Sequence, residues 1–297
     1  MTRKAILIGS PTPPPYLKGV KQDIKNMKNL LTSANGGSWK DGTEIITMPF
    51  DPNFSDLELH LNSLHYCDFA FVYYSGHGYT DNGENPRINL NANETPLVSQ
   101  LANRCKRQIT IVDACRGYRM QSGFDGIPTA ISGVEEITFD NYYPQDARLI
   151  FDTYLQNCAD GKVLLFASQH GQNADDTENG GYFSTNLLYS TKDLAKSIDK
   201  PVINIYDAFK EAYELTQNKH QPDIIRTDEG LKLPFAIKSK ATIQKNNSQD
   251  SGQSGVTAED IAKFALATIA VVGITVFIAS ILGGNKQKWR KANHPTT

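Results

Sequence analysis

The sequence contains a histidine and a cysteine that each follow an apolar, strand-like run. His77 stands between two glycines in "VYYSGHGYT", and Cys115 stands in "TIVDACRGYR". Runs of aromatic and β-branched residues like these are typical of strands covered on both faces of a parallel sheet. Because the carboxyl ends of parallel strands meet at one edge, the two side chains can come together there. Imidazole can then accept the thiol proton, and the thiolate is a nucleophile.

Two aspartates occupy positions that need an explanation. Asp23 falls on the apolar face of the helix predicted over "LKGVKQDIKNMKNLLTSA", and Asp113 stands two residues before Cys115. A carboxylate on an apolar face is costly unless it is hydrogen-bonded or serves a cation. For Asp23 the sequence leaves both alternatives open, a hydrogen bond to a neighbouring loop and the binding of a basic group.

Two other reactive side chains are weaker candidates. His170 follows the fifth predicted strand in "SQHG", and we interpret it as a loop residue rather than as a rival base. Cys158 lacks a strand end bordered by glycine, so we interpret it as a structural residue.

The composition excludes several classes of protein. The chain has 297 residues and a net charge of −2, so nothing indicates nucleic-acid binding. The four cysteines, Cys67, Cys105, Cys115 and Cys158, form no CxxC pair, which argues against a disulfide framework or a zinc site and for a reducing compartment. The first apolar run is short and stops at a proline cluster, unlike a secretory signal.

Strands and helices alternate along most of the chain. The predicted strands are "KAILIG", "TEIITMPF", "DFAFVYYS", "RQITIVDA", "GKVLLFASQ" and a closing "LKLPFAI". Predicted helices cover the "LKGV" segment, "SDLELHLNSL" with Ser55 and Glu58 as a capping box, residues 96–105, "STNLLYSTKDLAKSI" and "INIYDAFKEAYELTQN". This order predicts an α/β fold, a mostly parallel six-stranded sheet with helices on both faces.

The amino-acid composition changes near residue 240. We expect a folded domain over 1–239, a flexible polar linker over 240–260, a transmembrane helix over 261–283 and a basic tail over 284–297. The nineteen residues from 264 to 282 carry no charge, and as a helix they would extend about 28 Å, close to the thickness of a bilayer core. A buried core helix is the alternative, but core helices of this length rarely lack a polar face.

The orientation of this predicted anchor rests on two opposing signals. The basic tail favours the cytoplasm for the tail itself, whereas the missing export signal favours the cytoplasm for the large domain. Because long domains follow charge rules poorly, we predict a cytosolic domain on a single-pass C-terminal anchor.

In order along residues 3–238, five motifs resemble those of the caspase-like cysteine peptidases, and most closely the metacaspases and orthocaspases. They are "KAILIG" with the first helix, "YYSGHG", "VDACRG", "LLFASQHGQNADD" with "GGYFSTNLL", and "HQPDI". The resemblance implies that Cys115 is the nucleophile and His77 its proton-transfer partner. It also implies an oxyanion hole formed by the backbone N–H groups of Gly78 and Cys115.

The resemblance further implies a specificity. In metacaspases the aspartates that match Asp23 and Asp113 line the S1 pocket and receive Arg or Lys. Caspases that cut after Asp carry an arginine where this sequence has Leu17 and a glutamine where it has Asp113. Two carboxylates favour a basic P1 side chain and repel an acidic one.

Two expectations concern activation. Residues 118–160 lack clear periodicity and should be exposed and mobile, which makes Arg148, and less so Arg119, a candidate site of self-cleavage. Some metacaspases use calcium, and Asp175 and Asp176 could contribute ligands. Solvated loop charge is the favoured interpretation of these two aspartates, because the spacing of a helix–loop–helix calcium site is absent.

The sequence therefore predicts a membrane-anchored cysteine endopeptidase that cleaves peptides or proteins after Arg or Lys. It predicts no cofactor, and the resemblance implies a stress, defence or cell-death response. The alternative is a catalytically silent interaction module of the same fold, tethered to a membrane. A flavodoxin-like binding domain is disfavoured, because proline-rich "GSPTPPPY" replaces a glycine-rich phosphate loop after the first strand.

Overall fold

The computed structural model describes residues 1–12, 14–118, 137–139 and 143–238. The strands in these ranges are β1 (Arg3–Ser10), β2 (Ile45–Thr47), β3 (Phe69–Gly76), β4 (Gly78–Thr80), β5 (Pro86–Ile88), β6 (Arg107–Asp113), β7 (Gly161–Phe166), β8 (Asp176–Thr177), β9 (Gly180–Gly181), β10 (Val202–Asn204), β11 (Asp223–Arg226) and β12 (Pro234–Ile237). The helices are α1 (Val20–Thr32), α2 (Phe54–Ser63), α3 (Ser99–Ala102), α4 (Pro144–Gln156), α5 (Tyr182–Ser197) and α6 (Ile205–Thr216), with a 3₁₀ turn at Leu64–Tyr66.

A six-stranded sheet in the order β11-β7-β6-β3-β1-β2 forms the centre of the domain. The pairs along β7-β6-β3-β1-β2 are parallel, and β11 runs antiparallel to β7 at one edge. The predicted α/β class and mostly parallel sheet are therefore confirmed. In the described ranges, three two-stranded ladders, β4-β5, β8-β9 and β10-β12, lie outside this sheet.

Helices cover both faces of the sheet, as the continuous apolar strands require. One core packs α1, α4, α5 and α6 against one face, with Phe71, Tyr73 and Ile111 from the strands. The second core packs α2, the 3₁₀ turn and α3 against the other face, with Val72 and Tyr74. Alternate residues of β3 therefore enter different cores, which fixes the register of this strand.

The strand register places the carboxyl ends of β3 and β6 side by side. Ser75 and Asp113 are direct partners across the two parallel strands. His77 and Cys115 each follow two residues later, so both stand at the same edge of the sheet.

Three predicted elements need correction. The sixth strand of the sheet is β11, whereas the predicted closing strand, "LKLPFAI", forms β12 and pairs with β10. The second helix begins after Asn53 without a side-chain cap, so Ser55 lies inside the helix and forms no capping box. Residues 144–156, predicted to be irregular, form α4 and bury Ala147, Phe151 and Leu155.

In the part of the chain that the structure describes, no helix is both long and apolar enough to cross a bilayer. The predicted transmembrane helix, its linker and the basic tail lie outside the described residues.

Candidate active site

His77 and Cys115 lie on adjacent backbone segments beyond the sheet edge. Gly78 is in contact with the cysteine segment: a Cβ at this position would lie 2.8 Å from Ala114 Cβ and 2.9 Å from the Cys115 carbonyl oxygen. Two residues on, Thr80 N–H donates to the Gly117 carbonyl at 2.9 Å. Only glycine permits such an approach at position 78, which brings the two proposed oxyanion-hole residues, Gly78 and Cys115, into contact.

The orientation of His77 is set by the loop after β1. The side chain is buried, and Nε2 lies 2.8 Å from the Pro15 carbonyl oxygen. A carbonyl only accepts, so Nε2 must carry the proton that it donates. In the neutral ring, Nδ1 is then the basic nitrogen, which is the arrangement that a general base requires.

The thiol of Cys115 is half-buried and hydrogen-bonded to one residue on the loop after β7. Ala174 N–H donates to Sγ at 3.3 Å, and Sγ lies 3.5 Å from the Ala174 carbonyl oxygen. Burial raises the pKa of this thiol, and the negative charges of Asp113, Asp175 and Asp176 raise it further. The resting side chain is therefore a protonated thiol, and a base must remove its proton before it can attack.

Asp23 and Asp113 are both buried beside this edge of the sheet, at 2% and 5% exposure. Asp23 accepts hydrogen bonds from Ser75 Oγ at 2.6 Å and from Gly181 N–H at 3.0 Å. Asp113 accepts one from Ser184 N–H at 3.0 Å, at the beginning of α5. The expectation that Asp23 lies on the buried face of its helix is confirmed, and a hydrogen bond to a neighbouring loop accounts for part of its stabilisation.

A third carboxylate, Asp176, belongs to the same group. It accepts a hydrogen bond from Gly19 N–H at 3.3 Å, and Asp113 is among the charges that act on it. Asp175, its neighbour in sequence, is exposed. The expectation of solvated loop charge therefore holds for Asp175 and is wrong for Asp176. We call Asp23, Asp113 and Asp176 the acidic pocket.

Burial and mutual repulsion oppose the ionisation of the three carboxylates in the acidic pocket. Burial raises the pKa of Asp23 well above its usual range, and the charge of Asp113 adds to this. Burial also raises the pKa of Asp113 and raises that of Asp176 to about 6. In the described ranges, no ion pair involves any of the three carboxylates. A cation placed among them would relieve both the desolvation and the mutual repulsion.

The β8–β9 hairpin closes the acidic pocket. A Cβ on Gly180 would lie 2.2 Å from Asp23 Oδ1, and a Cβ on Gly181 would lie 2.3 Å from Asp113 Oδ2. Gly180 also has a positive φ of 120°, which disfavours any side chain. The two glycines thus allow backbone to lie directly on the carboxylates, and a bulky side chain could reach them only after the hairpin moved.

The remaining candidates are separate from this site. His170 is an exposed loop residue whose Nδ1 lies 3.4 Å from Tyr118 Oη, as expected for the loop interpretation. Cys158 lies 3.4 Å from the Tyr154 carbonyl oxygen, and burial raises its pKa to about 12. Arg148 lies in α4 and pairs with Glu44, so the expected exposed, irregular surroundings are wrong for this residue.

Arg119 lies outside the described residues. Self-cleavage stays a prediction. The position of Arg148 in a helix does not add support for it. Across the described ranges, no group of three or more His, Cys, Asp or Glu side chains has the arrangement of a metal site. Calcium dependence therefore stays an untested expectation.

Sequence reasoning missed several residues of the site. Pro15 acts through its carbonyl oxygen, which no side-chain pattern reveals. Ser75 and Gly181 stand inside the quoted motifs "YYSGHG" and "GGYFSTNLL", and Asp176, considered only as a calcium ligand, ends "LLFASQHGQNADD", so the signal for them was present. The sequence could not show that these residues lie near Asp23, because the sequence separation between Asp23 and Gly181 is large.

Comparisons with known proteins bear on the family and the fold. The family model described as "Caspase domain" matches residues 2–230. Caspase-1 from Spodoptera frugiperda is a structural neighbour at 13% identity and a TM-score of 0.50, covering 80% of this chain and 91% of its own. A protein from Geobacter sulfurreducens is another, at 14% identity and a TM-score of 0.51, covering 80% and 100%.

At these identities the structural neighbours establish the fold alone, whereas the family model covers most of the chain. No curated protein matches the sequence at a significant level. The chain belongs to the caspase domain family and is a cysteine-type peptidase.

Proposed function

We propose that the protein is an endopeptidase that uses Cys115 and His77 to cleave after Arg or Lys. The observation that carries the specificity is the acidic pocket. Three carboxylates lie beside the cysteine strand end, and no ion pair in the described ranges neutralises them. Buried carboxylates with raised pKa values next to a nucleophile favour a cationic substrate side chain, which would stabilise their ionised forms, and disfavour an acidic one.

The proposed reaction begins with proton transfer from Cys115 to the Nδ1 atom of His77. The Pro15 carbonyl, by accepting the Nε2 proton, holds the ring in the tautomer that can accept. The thiolate attacks the substrate carbonyl, and backbone N–H groups at Gly78 and Cys115 stabilise the oxyanion. His77 returns the proton to the leaving amine, and water then hydrolyses the acyl-enzyme.

Specificity follows from the charge of the P1 side chain. A guanidinium or ammonium group would lower the pKa values of Asp23 and Asp113 toward their normal range and favour their ionised forms. The binding energy gained in this way is available to move the β8–β9 hairpin. Substrate binding and pocket opening are therefore coupled in this proposal.

We further propose that the peptidase domain is cytosolic and anchored by residues 261–283. The support comes from the sequence alone: the uncharged run from 264 to 282 is long enough, as a helix, to cross a bilayer core.

A silent interaction module is the second candidate, and one observation favours it. The thiol is hydrogen-bonded to Ala174 and the pocket is closed, so neither is ready for a substrate in the arrangement described here. Labelling of the cysteine separates this candidate from the peptidase.

The test uses the full-length protein and two acyloxymethyl ketone probes that differ only in P1, arginine against aspartate. We expect the arginine probe to label wild type at Cys115 and the aspartate probe to label it far less. Cys115→Ala should lose the label and all peptide cleavage, whereas Cys158→Ala should keep both. Absence of labelling at Cys115, or equal labelling by both probes, would contradict the proposal.

A further inference from the structure

A cavity of about 360 Å³ opens away from the active site. Its floor includes Leu164 and Phe166 of β7, which face the core formed by α2 and α3. Asp113, in contrast, accepts a hydrogen bond from Ser184 N–H of α5, which packs on the other face of the sheet. The cavity is lined neither by His77 and Cys115 nor by the acidic pocket, so it is distinct from the candidate active site.

Among the described residues, no helix covers this end of the sheet, and this leaves the cavity open. On this face α3 is one short helical turn that packs against β6, and β11 at the edge leaves Ile225 half exposed. Leu97 and Ala102 supply an apolar wall opposite the strands. A volume of this size lies within the range of pockets that hold small organic ligands.

One cation at the cavity, Arg116, is nearly buried, with 9% of its side chain exposed. Its guanidinium lies over the Phe166 ring, at 3.9 Å from the ring centre. One terminal nitrogen donates to Asp223 at 2.9 Å and lies 3.3 Å from the Ser168 carbonyl oxygen. The Nε–H group is buried and has no acceptor in the described residues. A buried donor without an acceptor is costly, so a ligand atom here would be stabilising.

The other charged side chains that line the cavity are also cationic. Lys162 forms no ion pair in the described ranges, and Arg226 is already held by the Glu229 carbonyl and the Tyr206 ring. Of the residues that the structure describes, no acidic side chain lines the cavity, and its other polar lining residues are neutral. The lining therefore complements an anion, with the free donor at Arg116 and the free charge at Lys162.

We propose that this cavity binds a small carboxylate with an apolar or aromatic body. The body would lie on the strand surface of Leu164 and Phe166. The carboxylate would accept from the Nε–H of Arg116 and neutralise Lys162. The apolar strand surface suits an anion that carries an apolar or aromatic body, whereas phosphate, which is usually bound by a guanidinium fork or by several backbone N–H groups, has no apolar part to lie on it.

The probe for the test is 2-naphthoate, with 2-naphthylmethanol as its neutral counterpart of similar shape, titrated calorimetrically into the full-length protein. We expect one molecule of 2-naphthoate to bind and the alcohol to bind at least about tenfold more weakly, because a charge-assisted hydrogen bond is lost. Lys162→Gln should weaken naphthoate binding about fivefold. The matched control, Lys210→Gln, removes an exposed lysine outside the cavity and should change nothing.

A second variant, Leu164→Trp, fills the cavity and should abolish binding. Lys162→Gln alters no buried packing, so it remains informative even if the tryptophan variant folds poorly. The proposal is overturned if wild type does not bind naphthoate, if the alcohol binds equally well, or if Lys162→Gln and Lys210→Gln bind alike. Inorganic phosphate that binds as tightly as naphthoate would overturn the choice of ligand class.

Discussion

Gly181 lies directly on the carboxylate of Asp113. A Cβ at Gly181 would be 2.3 Å from Asp113 Oδ2, far inside any ordinary contact, and the same residue donates its N–H to Asp23 at 3.0 Å. One glycine of the β8–β9 hairpin therefore contacts both carboxylates that sequence reasoning assigned to the S1 pocket. This contact closes the pocket in the structure and leads to the first prediction.

Gly181→Ala should lower the free energy of unfolding by about 1–3 kcal/mol, because the new methyl group forces the hairpin off Asp113. Urea denaturation measures the change. Gly83→Ala, in an exposed loop where the added Cβ meets only the ends of the Asn85 and Asp81 side chains, is the matched control and should cost less. Adding Asp113→Ala to Gly181→Ala should recover most of the loss. A purely additive double mutant would show that the contact is not the cause.

Asp113→Asn should lower the peptidase activity and raise the stability of the folded domain. Removing one carboxylate from a desolvated charge contact costs about 2–5 kcal/mol of binding, so kcat/KM for arginine substrates should fall at least about 30-fold. The folded protein should melt at a higher temperature at neutral pH, because a buried charge with a raised pKa is replaced by a neutral amide.

Asp228→Asn, in the turn after β11, is the control and should change neither quantity. If Asp113→Asn keeps full activity on arginine substrates, Asp113 does not bind the P1 side chain.

Asp176 predicts a specific dependence of stability on pH. Its pKa rises from 3.8 to about 6 on folding, so the folded protein binds this proton more tightly than the unfolded chain. The stabilisation is complete below pH 3.8 and is lost as the pH rises through 6.

Asp176→Asn removes this dependence. The melting temperature of the variant relative to wild type should therefore be higher at pH 7.5 than at pH 4.5. A constant difference between the two proteins at both pH values would show that Asp176 does not titrate as described.

Phe151→Ala should destabilise the domain by about 3–5 kcal/mol, because the ring is fully buried in α4. It packs edge-on against Trp39 and lies under the Arg3 guanidinium, at 5.1 Å. Leu149→Ala, on the same helix but half exposed, should change the free energy of unfolding by only about 0.5 kcal/mol. Equal effects in chemical denaturation would mean that residues 144–156 do not pack as α4.

The sequence alone determined the two strand ends and the burial of Asp23. An apolar run that stops at a glycine or a reactive side chain is local information, and parallel strands place their carboxyl ends together whatever the loops do. The position of Asp23 follows equally from helical periodicity. These inferences needed no knowledge of distant contacts.

Helix α4 was missed, although its buried residues, Ala147, Phe151 and Leu155, recur every four positions. Leu149 is half exposed on the opposite side and blurs this pattern. The closing strand was found but given the wrong partner, because β11 and β12 are both short apolar segments. Which of them reaches β7 depends on where α6 returns the chain, and local propensity carries no information about that.

The tertiary structure alone decided how the site is held. Pro15 orients His77 through a backbone carbonyl, Ala174 holds the Cys115 thiol, and Gly181 closes the acidic pocket over Asp23 and Asp113. Each of these contacts joins segments that are far apart in sequence or uses backbone atoms that every residue shares. The side-chain types in the sequence therefore identify the reacting groups. Only the packing of loops from separate strands determines the protonation and orientation of these groups and their accessibility to substrate.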